Sequence, residues 1–277
     1  MTKPHKYEYN IKRNSSPDRV TCMIGSNKKV LELGSGPGVI TEKLTANNCV
    51  VTALEIDESA IEIVRHHCEN VYQCDFNNPD WPLTLKDIGD FEILVAADVF
   101  EHLIDPLCFA KNLHQYFAPG GSLIVSIPHV GHAAIMACLL NSDFDYKSWG
   151  LLDKTHIRFF GLTNVQKLFE VAGYKIIEAE FVVVEPSDTE LAKHWARLPS
   201  STQKELLLGK FSRIYQVVLR VVPTGSTGNA INLVSMTVPK PNFAIFGPVT
   251  GSKFGTLLSN NLSPNFRNRM KGLLKHF

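Results

Sequence analysis

The chain has 277 residues, of which 44% are hydrophobic and 20% are charged, and its formal net charge at pH 7 is +1. This composition is typical of a globular protein and excludes a disordered chain, a fibrous repeat and a small disulfide scaffold. The length fits one large domain with an extension rather than a string of small modules.

Short apolar runs alternate with amphipathic stretches along most of the chain. After an N-terminal helical segment over residues 1–26, this alternation predicts an α/β fold in which crossover helices join parallel strands. Helices are predicted from residue 58, from Pro106 with Asp105 as the N-cap, and from Thr163 to the glycine at 173. Strands are predicted at residues 29–33, 50–55, 71–73, 91–96, 122–126 and 176–184.

The sixth predicted strand is followed by a second run of helical periodicity. Two helices, residues 187–198 and 201–222, would form a helical insertion over 187–222 before a last antiparallel strand at 232–238. The main domain would then span residues 27–240.

Residues 241–277 are predicted to form a basic C-terminal extension. Nine Lys and Arg residues and no Asp or Glu follow Glu205. Such an asymmetry is expected either of a solvated basic surface or of a surface that binds an anionic partner, such as a membrane, an anionic glycan or a nucleotide-linked sugar. A solvated surface and an anion-binding surface are both compatible with the sequence, as is a role of the extension in a homodimer interface.

The sequence carries no targeting or membrane signal that we recognise. The first residues lack the apolar core of a secretion signal, and the most apolar stretch, residues 122–140, is interrupted by Pro128, His129 and His132. The six cysteines show neither a C-x-x-C pair nor zinc spacing, which favours reduced thiols. We therefore expect a cytoplasmic protein, with contact to the inner face of a membrane through the basic C-terminus as the alternative.

A glycine-rich turn follows the first predicted strand. The sequence Glu32-Leu-Gly-Ser-Gly-Pro-Gly38 runs from a strand into a helix, and its residues 34–38 are called the glycine loop below. Such a turn lets a ligand approach backbone N–H groups closely. Val39 stands where a dinucleotide fingerprint needs Gly or Ala, and no Gly-Lys-Ser/Thr follows, so an NAD site and a P-loop are both disfavoured.

Acidic residues end the next three predicted strands. Glu55 can accept hydrogen bonds from both hydroxyls of a ribose. Asp75 can accept from an adenine amino group while Phe76 packs on the ring, although an Asp in this position is also an ordinary turn residue. Asp98 ends the fourth strand and begins the sequence Asp98-Val-Phe-Glu-His-Leu103.

These four motifs, in this order and spacing, resemble the Rossmann-like class of S-adenosylmethionine-dependent methyltransferases over residues 15–240. The resemblance implies a seven-stranded sheet flanked by helices, with S-adenosylmethionine as cofactor and S-adenosylhomocysteine as product. It also implies that the glycines pass under the methionine part, that Glu55 holds the ribose, and that Glu32 acts through the loop and the cofactor's amino group. The implied cofactor-binding residues are Glu32, Gly34, Ser35, Gly36, Gly38, Glu55, Ile56, Asp75, Phe76 and Asp98.

A second set of motifs concerns the methyl acceptor. The segments Ser126-Ile-Pro-His-Val-Gly-His132 and Asp153-Lys-Thr-His-Ile-Arg-Phe-Phe160 resemble bacterial methyltransferases encoded with surface-polysaccharide glycosyltransferases and, more distantly, the O-methyltransferases of ubiquinone synthesis. This implies O-methylation of a sugar hydroxyl or sugar phosphate in cell-surface glycan or nucleotide-sugar synthesis. Two alternatives stay open: a small aromatic or quinone-like acceptor, and a cofactor-binding protein without catalysis.

Histidines are the candidate bases, because an acceptor hydroxyl must lose its proton and imidazole titrates near neutral pH. His156 is the first candidate, with Asp153 to orient its ring, and His132 and His129 are rival bases. Arg158 would clamp a phosphate or carboxylate of the acceptor. The predicted substrate-binding residues are His102, His129, Tyr146 and Arg158.

Two other substrate and cofactor classes are disfavoured by missing patterns. The Asn/Asp-Pro-Pro-Tyr/Phe pattern of enzymes that methylate base amines is absent after the fourth strand, so a nucleic-acid substrate is not expected. Catechol-type O-methyltransferases place an Asp-Asn pair after the fifth strand, where this chain has Ile127-Pro128-His129. No catalytic metal is therefore predicted.

Overall fold

A mixed β-sheet forms the centre of the protein. The structure is a computed structural model and describes residues 14–240 except 69 and 87. Within that part of the chain the strand order is β3-β2-β1-β4-β5-β7-β6, with β7 antiparallel to both of its neighbours. The seven-stranded Rossmann-like sheet is confirmed. Its strands are β1 (Lys29–Leu33), β2 (Val50–Glu55), β3 (Asn70–Gln73), β4 (Phe91–Ala97), β5 (Phe117–Pro128), β6 (Tyr174–Val183) and β7 (Ile214–Pro223).

Helices connect the strands and cover both faces of the sheet. Local sequence sets where several of them begin: Ser15 caps α1, Asp57 caps α3, and Asp105 accepts the backbone N–H of Cys108 at the start of α4. The helices are α1 (Ser16–Ile24), α2 (Val39–Ala46), α3 (Glu58–Val64), α4 (Pro106–Asn112), α5 (Ala133–Leu140), α6 (Leu162–Val171), α7 (Ala192–Ala196) and α8 (Ser200–Leu207).

Alternate residues of the strands point to two separate cores. Val30 of β1 packs in a core with the apolar residues of α1, α2 and α3. The next residue, Leu31, packs in a larger core with those of α4 and α6. This alternation follows from the two-residue period of a strand, and most residues of β1, β2 and β4 are buried because helices cover both faces there.

The predicted helix over residues 201–222 is wrong in its second half. Helix α8 ends at Leu207, and the strand β7 follows and inserts between β5 and β6. Ile214 and four valines give this segment the β-branched composition that favours a strand. Its position between β5 and β6 buries most of these side chains. The helical part of the insertion is limited to α7, α8 and a 3₁₀ turn at Pro186–Asp188.

The strand predicted at residues 232–238 is also wrong. This segment forms a 3₁₀ turn, Leu233–Ser235, because the Asn232 side chain accepts the backbone N–H groups of Val234 and Ser235. Leu233 is buried against the core on the α4 and α6 side. The alternation of apolar and polar residues over 232–238 thus belongs to a capped turn that packs on the core, not to a paired strand.

Several expectations concern parts of the chain that the structure does not describe. Most of the N-terminal segment, the basic extension at 241–277 and its contact with a membrane lie outside the described residues. Homodimer formation stays a prediction. No helix in the described ranges is both long enough and apolar enough to cross a membrane, and each of the six cysteines is a free thiol.

The order of the strands creates a crevice at one edge of the sheet. Strand β1 pairs with β2 on one side and with β4 on the other, so the chain reverses its direction of travel across the sheet at this point. Loops that follow β1 and β4 therefore diverge to opposite faces, and ligands of open α/β sheets bind in such crevices.

Candidate active site

The glycine loop joins β1 to α2 at this crevice. Gly34, Gly36 and Gly38 have φ angles of +74°, +53° and +86°, a region that favours glycine. A Cβ on Gly34 would lie 2.8 Å from Cγ2 of Val99, and one on Gly38 would lie 2.9 Å from Cγ2 of Val64. A Cβ on Gly36 would meet no atom within 4 Å. Gly34 and Gly38 thus permit close packing of the loop, whereas Gly36 leaves the backbone open to a ligand.

Two alanine substitutions should separate these roles. Gly36→Ala is expected to lower the free energy of unfolding by about 1–2 kcal/mol, the strain of the left-handed backbone alone. Gly38→Ala should lower it by roughly 2–3 kcal/mol, because the new methyl group also overlaps Val64. Ligand affinity should instead fall most in Gly36→Ala, whose methyl group fills the open space above the loop. Thermal unfolding and calorimetry on both variants measure this, and equal effects on the two properties would contradict the assignment.

Glu55 ties the end of β2 to the glycine loop. Its Oε2 accepts the backbone N–H of Gly36 (2.7 Å), and its Oε1 accepts those of Ile56 (2.9 Å) and Asp57 (3.0 Å). A carboxylate has about four acceptor positions, so Oε2 retains one for a ligand hydroxyl. The buried carboxylate therefore holds the loop in shape as well as facing the crevice. Ile56 contributes its backbone, while its side chain is exposed.

Glu32 is a buried acid behind the glycine loop. Thr41 of α2 donates a hydrogen bond to its Oε2 (2.6 Å). Burial raises the pKa of Glu32 from 4.5 to about 8, an effect that the Thr41 hydrogen bond reduces and that the charge of Glu55 increases. Without a cationic ligand, Glu32 is thus mostly protonated at neutral pH.

Asp75 and Phe76 follow β3 on the rim of the crevice. Asp75 is exposed, and its Oδ1 accepts the backbone N–H of Asn77 (2.9 Å), as in an ordinary Asx turn. Phe76 is half-buried and packs against the rings of Trp81 and Phe109, whose centroids lie 5.5 Å and 5.1 Å away. Both residues border the crevice, and their roles toward adenine stay predictions.

Asp98 lies beside the glycine loop at the end of β4. Its φ of +55° is unusual for a residue other than glycine. Ser126 Oγ and Gln216 Nε2 donate to its Oδ1, at 2.7 Å and 2.8 Å. Desolvation by the surrounding protein raises the pKa of Asp98, and the hydrogen bonds from Ser126 and Gln216 partly offset this effect.

A cluster of one acid and two histidines adjoins Asp98. Glu101 and His102 lie on a 3₁₀ turn after β4, and His156 comes from the loop before α6. The rings of the two histidines contact edge to face with centroids 4.9 Å apart, and His156 Nε2 lies 3.9 Å from Glu101 Oε1. Backbone hydrogen bonds from Ile157 and Arg158 to the Glu101 carbonyl hold the two segments together. These three side chains could together hold a metal ion.

The electrostatics of this cluster are unusual. Glu101 is buried, and neither of its carboxylate oxygens has a hydrogen-bond partner. Burial, with the nearby charges of Asp98 and Asp153, raises the pKa of Glu101 well above 4.5, an effect that the backbone N–H of Glu101 itself reduces only in part. Burial and the neighbouring His102 lower the pKa of His156, so its imidazole is neutral at pH 7 and can accept a proton.

The predicted partners of His156 need one correction. Asp153 does not orient the imidazole, because its Oδ1 accepts the backbone N–H and hydroxyl of Thr155 instead (2.8 Å and 2.6 Å). The carbonyl oxygen of Leu151 lies 3.4 Å from His156 Nδ1 and takes that place. The guanidinium of Arg158 is exposed and donates to the Ile104 carbonyl, which joins the loops at the rim of the site.

His132 is wrong as a candidate base. It is fully buried, its Nε2 faces the carbonyl oxygen of Val184 (3.0 Å), and its Nδ1 accepts the backbone N–H of Ala134 (3.2 Å) at the start of α5. Both ring nitrogens are engaged, and burial lowers the pKa of His132 to about 4. Its position two residues before Ala134 makes it the N-cap of that helix.

His129 is also buried and lies apart from the His156 cluster. Burial lowers its pKa to about 4, and its backbone pairs with Tyr215 and Phe160 at the end of β5. The ring lines a separate pocket of about 400 Å³ between the beginnings of α5 and α6. The structure therefore does not bring His129 together with the other predicted substrate-binding residues.

Aromatic side chains stand exposed on the loop between α5 and α6. Tyr146 and Trp149 are 59% and 60% exposed. Phe144 contacts both Tyr146 and Phe159, with ring centroids 5.3 Å and 6.0 Å apart. We call Phe144, Tyr146, Trp149 and Phe159 the aromatic flank. Flat apolar faces of this kind can stack on a sugar or on an aromatic ring.

Comparison with known proteins places the chain in a family. A family model described as "Methyltransferase domain" matches residues 5–179, more than half of the chain. The chain belongs to this methyltransferase family. The methyltransferase is 24% identical over 168 residues to a ubiquinone biosynthesis O-methyltransferase of Coxiella burnetii, an alignment that covers 59% of this chain and 70% of that protein.

Solved structures agree on the fold of this methyltransferase. A SAM-dependent methyltransferase from Archaeoglobus fulgidus is similar with a TM-score of 0.53 and 16% identity, over 75% of this chain and 92% of that chain. The cyclase SpnF is similar with a TM-score of 0.50 and 14% identity, over 79% of this chain and 86% of that chain. Because a cyclase shares the fold, the fold alone does not define the reaction.

S-adenosylmethionine is the cofactor that this family and fold imply, and the crevice fits it. The backbone at Gly36 is open to a ligand, Glu55 retains an acceptor position, and Asp75 on the rim is exposed. The roles toward methionine, ribose and adenine stay predictions, and three backbone hydrogen bonds leave Glu55 one acceptor position, for one ribose hydroxyl rather than both.

Sequence reasoning missed two residues of this methyltransferase site. Glu101 stands in the motif that indicated Asp98, but its burial and its proximity to His156 depend on a loop 55 positions later. The sequence does not indicate Gln216 as a hydrogen-bond partner of Asp98, because its segment is predicted as a helix rather than as the strand beside β5. The only sequence signal for Glu101 is its place directly before His102 in the motif that begins at Asp98.

Proposed function

We propose that this methyltransferase transfers a methyl group to a hydroxyl oxygen, and that the acceptor is a sugar or sugar phosphate of cell-surface glycan or nucleotide-sugar synthesis. The observation that carries the proposal is the neutral His156 next to buried Glu101, at the strand end beside the glycine loop. Methylation of a hydroxyl requires a proton acceptor at the transition state, and this cluster supplies one. The name of the Coxiella relative also supports O-methylation.

The residues of the chain have two tasks in this reaction. S-adenosylmethionine supplies the methyl group on a positively charged sulfur, which leaves as a neutral thioether when its C–S bond breaks and the C–O bond forms. The glycine loop and Glu55 hold one reactant, while the loop of residues 153–160 holds the other, so that alignment provides much of the rate. The hydroxyl proton passes to Nε2 of His156, which remains neutral until then.

Two features support a sugar or sugar phosphate as the acceptor. The segment from Asp153 to Phe160 resembles methyltransferases encoded with surface-polysaccharide glycosyltransferases. The guanidinium of Arg158 has five N–H donors, one of which bonds the Ile104 carbonyl, and it is exposed at the rim, where it can bind a phosphate in the two-pronged manner of arginine.

A small aromatic or quinone-like acceptor is the second candidate. The name of the Coxiella relative favours it, and the exposed aromatic flank is compatible with it. Both candidates would use the same flank, because sugars and aromatic rings each present an apolar face.

Truncation of the flank should weaken acceptor binding. We expect Trp149→Ala to raise the KM for the acceptor by about tenfold with little change in kcat, since the side chain binds substrate and transition state alike. Leu208→Ala is the matched control, because Leu208 is also exposed (77%) but lies at the end of α8. Steady-state kinetics on both variants test this. An unchanged KM for Trp149→Ala would remove the flank from the acceptor site.

The function itself is tested by methyl transfer to a panel of acceptors. The purified full chain is incubated with methyl-labelled S-adenosylmethionine and with nucleotide sugars, sugar phosphates, catechols and primary amines. We expect label in a methyl ether of a sugar. Label in catechols alone would select the aromatic acceptor, and label in amines alone would overturn O-methylation. Binding of S-adenosylhomocysteine without any transfer would indicate a cofactor-binding protein without catalysis.

A further inference from the structure

Glu101, His102 and His156 form a compact set of potential metal ligands. Each offers one ligand atom, and these atoms lie within 4.8 Å of one another. The set combines two imidazoles with one carboxylate from two segments 54 residues apart, which the hydrogen bonds to the Glu101 carbonyl keep together. It is therefore part of the folded framework rather than an accidental meeting of surface side chains.

Glu101 provides an independent reason to expect a cation here. The carboxyl group is buried, with an exposed fraction of 1%, and both of its oxygens lack a hydrogen-bond partner within the described part of the chain. A buried carboxyl without partners is strongly unfavourable. Nε2 of His156 lies 3.9 Å from Oε1 of Glu101, which is too far for a hydrogen bond. A bound ion would supply the missing partner.

The two histidines are already oriented as metal ligands would be. Nδ1 of His102 lies 3.0 Å from the carbonyl oxygen of Thr155, and Nδ1 of His156 lies 3.4 Å from that of Leu151. A proton on each Nδ1 satisfies these contacts and leaves the lone pair of each Nε2 free. Metal-binding histidines characteristically donate the N–H of their other nitrogen to a carbonyl or carboxylate in this way.

We propose that Glu101, His102 and His156 bind one divalent transition-metal ion on the acceptor side of the crevice. Two imidazoles and a carboxylate suit Zn²⁺, Fe²⁺, Mn²⁺ or Co²⁺, whereas Mg²⁺ and Ca²⁺ prefer oxygen ligands. With bonds of about 2.1 Å, the ligand atoms would draw together to roughly 3.0–3.5 Å. That closure requires the half-buried imidazole of His102 and the buried imidazole of His156 to move toward the Glu101 carboxylate.

The ion would deepen the proposed function, on which this part of the inference rests. Three protein ligands leave coordination positions open, and an acceptor hydroxyl bound there would lose its proton more readily. His156 would then act as a ligand, and the proton of the metal-bound hydroxyl would pass to solvent water instead of to Nε2 of His156. This proposal differs from the sequence-based expectation of a metal-free site, which rests on the missing Asp-Asn pair after the fifth strand.

Metal binding can be measured without any turnover. The full chain is stripped with a chelator and titrated with Zn²⁺, Mn²⁺, Co²⁺ and Mg²⁺ by calorimetry. We expect one equivalent of a transition metal to bind, with Mg²⁺ much weaker, and Glu101→Gln and His156→Ala each to lower the affinity at least 100-fold, beyond the roughly 10–100-fold of an outer-shell loss. His66→Ala, which removes an exposed histidine after α3, should leave the affinity unchanged.

Two further measurements keep the result unambiguous. Visible absorption of the Co²⁺-loaded wild type should show ligand-field bands of a low-symmetry site, which needs no variant to fold. Affinity for S-adenosylhomocysteine is measured on the same metal-free samples. Intact S-adenosylhomocysteine binding without stoichiometric metal binding would overturn the metal site and leave the methyltransferase assignment intact. Metal binding that both variants retain would also overturn the site. A wild type that binds the metal but not S-adenosylhomocysteine would count against the proposed function alone.

Discussion

His156→Ala is expected to slow methyl transfer by about 10²–10⁴-fold, the usual contribution of a positioned proton-transfer group. The affinity for S-adenosylhomocysteine should stay unchanged, because His156 lies in the cluster after β4 and not in the glycine loop. Single-turnover kinetics and calorimetry on the same preparation separate the two effects. A loss of cofactor affinity together with rate would show that the loop of residues 153–160 shapes the cofactor site instead.

His132→Asn is the matched control for this variant. Asparagine is among the most favourable N-cap residues, so the first turn of α5 should remain helical. The hydrogen bond from His132 to the Val184 carbonyl is lost, and we expect a decrease in the free energy of unfolding of about 1–3 kcal/mol with kcat unchanged. A kcat that fell as far as in His156→Ala would restore His132 as a candidate base.

Glu32→Gln should make the cofactor-free protein more stable. Between pH 4.5 and about 8 the carboxyl is ionised in the unfolded chain but protonated in the fold, so the stability contributed by Glu32 is full below pH 4.5 and declines as the pH rises to about 8. At pH 7 the amide should therefore raise the free energy of unfolding by about 3 kcal/mol, or the melting temperature by roughly 6–12 °C.

The pH dependence is the decisive part of that measurement. The difference in melting temperature between Glu32→Gln and wild type should be near zero at pH 4.5, grow to about pH 8 and then level off. Glu62→Gln, an exposed acid of α3, serves as the control and should show no such trend. A difference independent of pH would mean that Glu32 is already ionised in the fold.

The same variant should bind S-adenosylhomocysteine more weakly. The resemblance places the cofactor's amino group near Glu32, and a charged hydrogen bond of this kind contributes about 1.5–3 kcal/mol. Wild type should release a proton on binding at pH 7, visible as a dependence of the binding enthalpy on the buffer, and Glu32→Gln should not. Stability and binding would thus change in opposite directions, as is common where a binding site holds a strained group.

Most of the sheet was predictable because its strands are buried on both faces. β1 and β2 match their predicted bounds, since continuous apolar runs between turn signals have few other interpretations. β7 was not, because Ile214 to Pro223 also shows a helical stripe when taken alone. Pairing with both β5 and β6 makes this segment a strand rather than a helix. Such long-range pairing cannot be read from a short stretch of sequence.

The candidate site divides in the same way. The glycine loop and Glu55 are contiguous with strand ends and follow from local motifs. The cluster of Glu101 and His156 depends on the path of a long loop, which no spacing rule predicts. His132 was misjudged because its sequence neighbourhood resembles an acceptor motif, whereas its actual task is to cap α5.

The position of β7 also has a consequence for how the chain acquires its fold during synthesis. β5 and β6 are both complete by Val183, yet until β7 inserts between them β5 is paired only with β4 and β6 has no partner in the sheet. Until then each presents an unpaired, largely apolar strand edge, which is prone to aggregation. Gln216 arrives with β7, so Asp98 too waits for its second hydrogen bond. This side of the sheet is therefore completed only after residues 214–223 have left the ribosome, and a nascent chain stalled before residue 214 should expose these strand edges to chaperones.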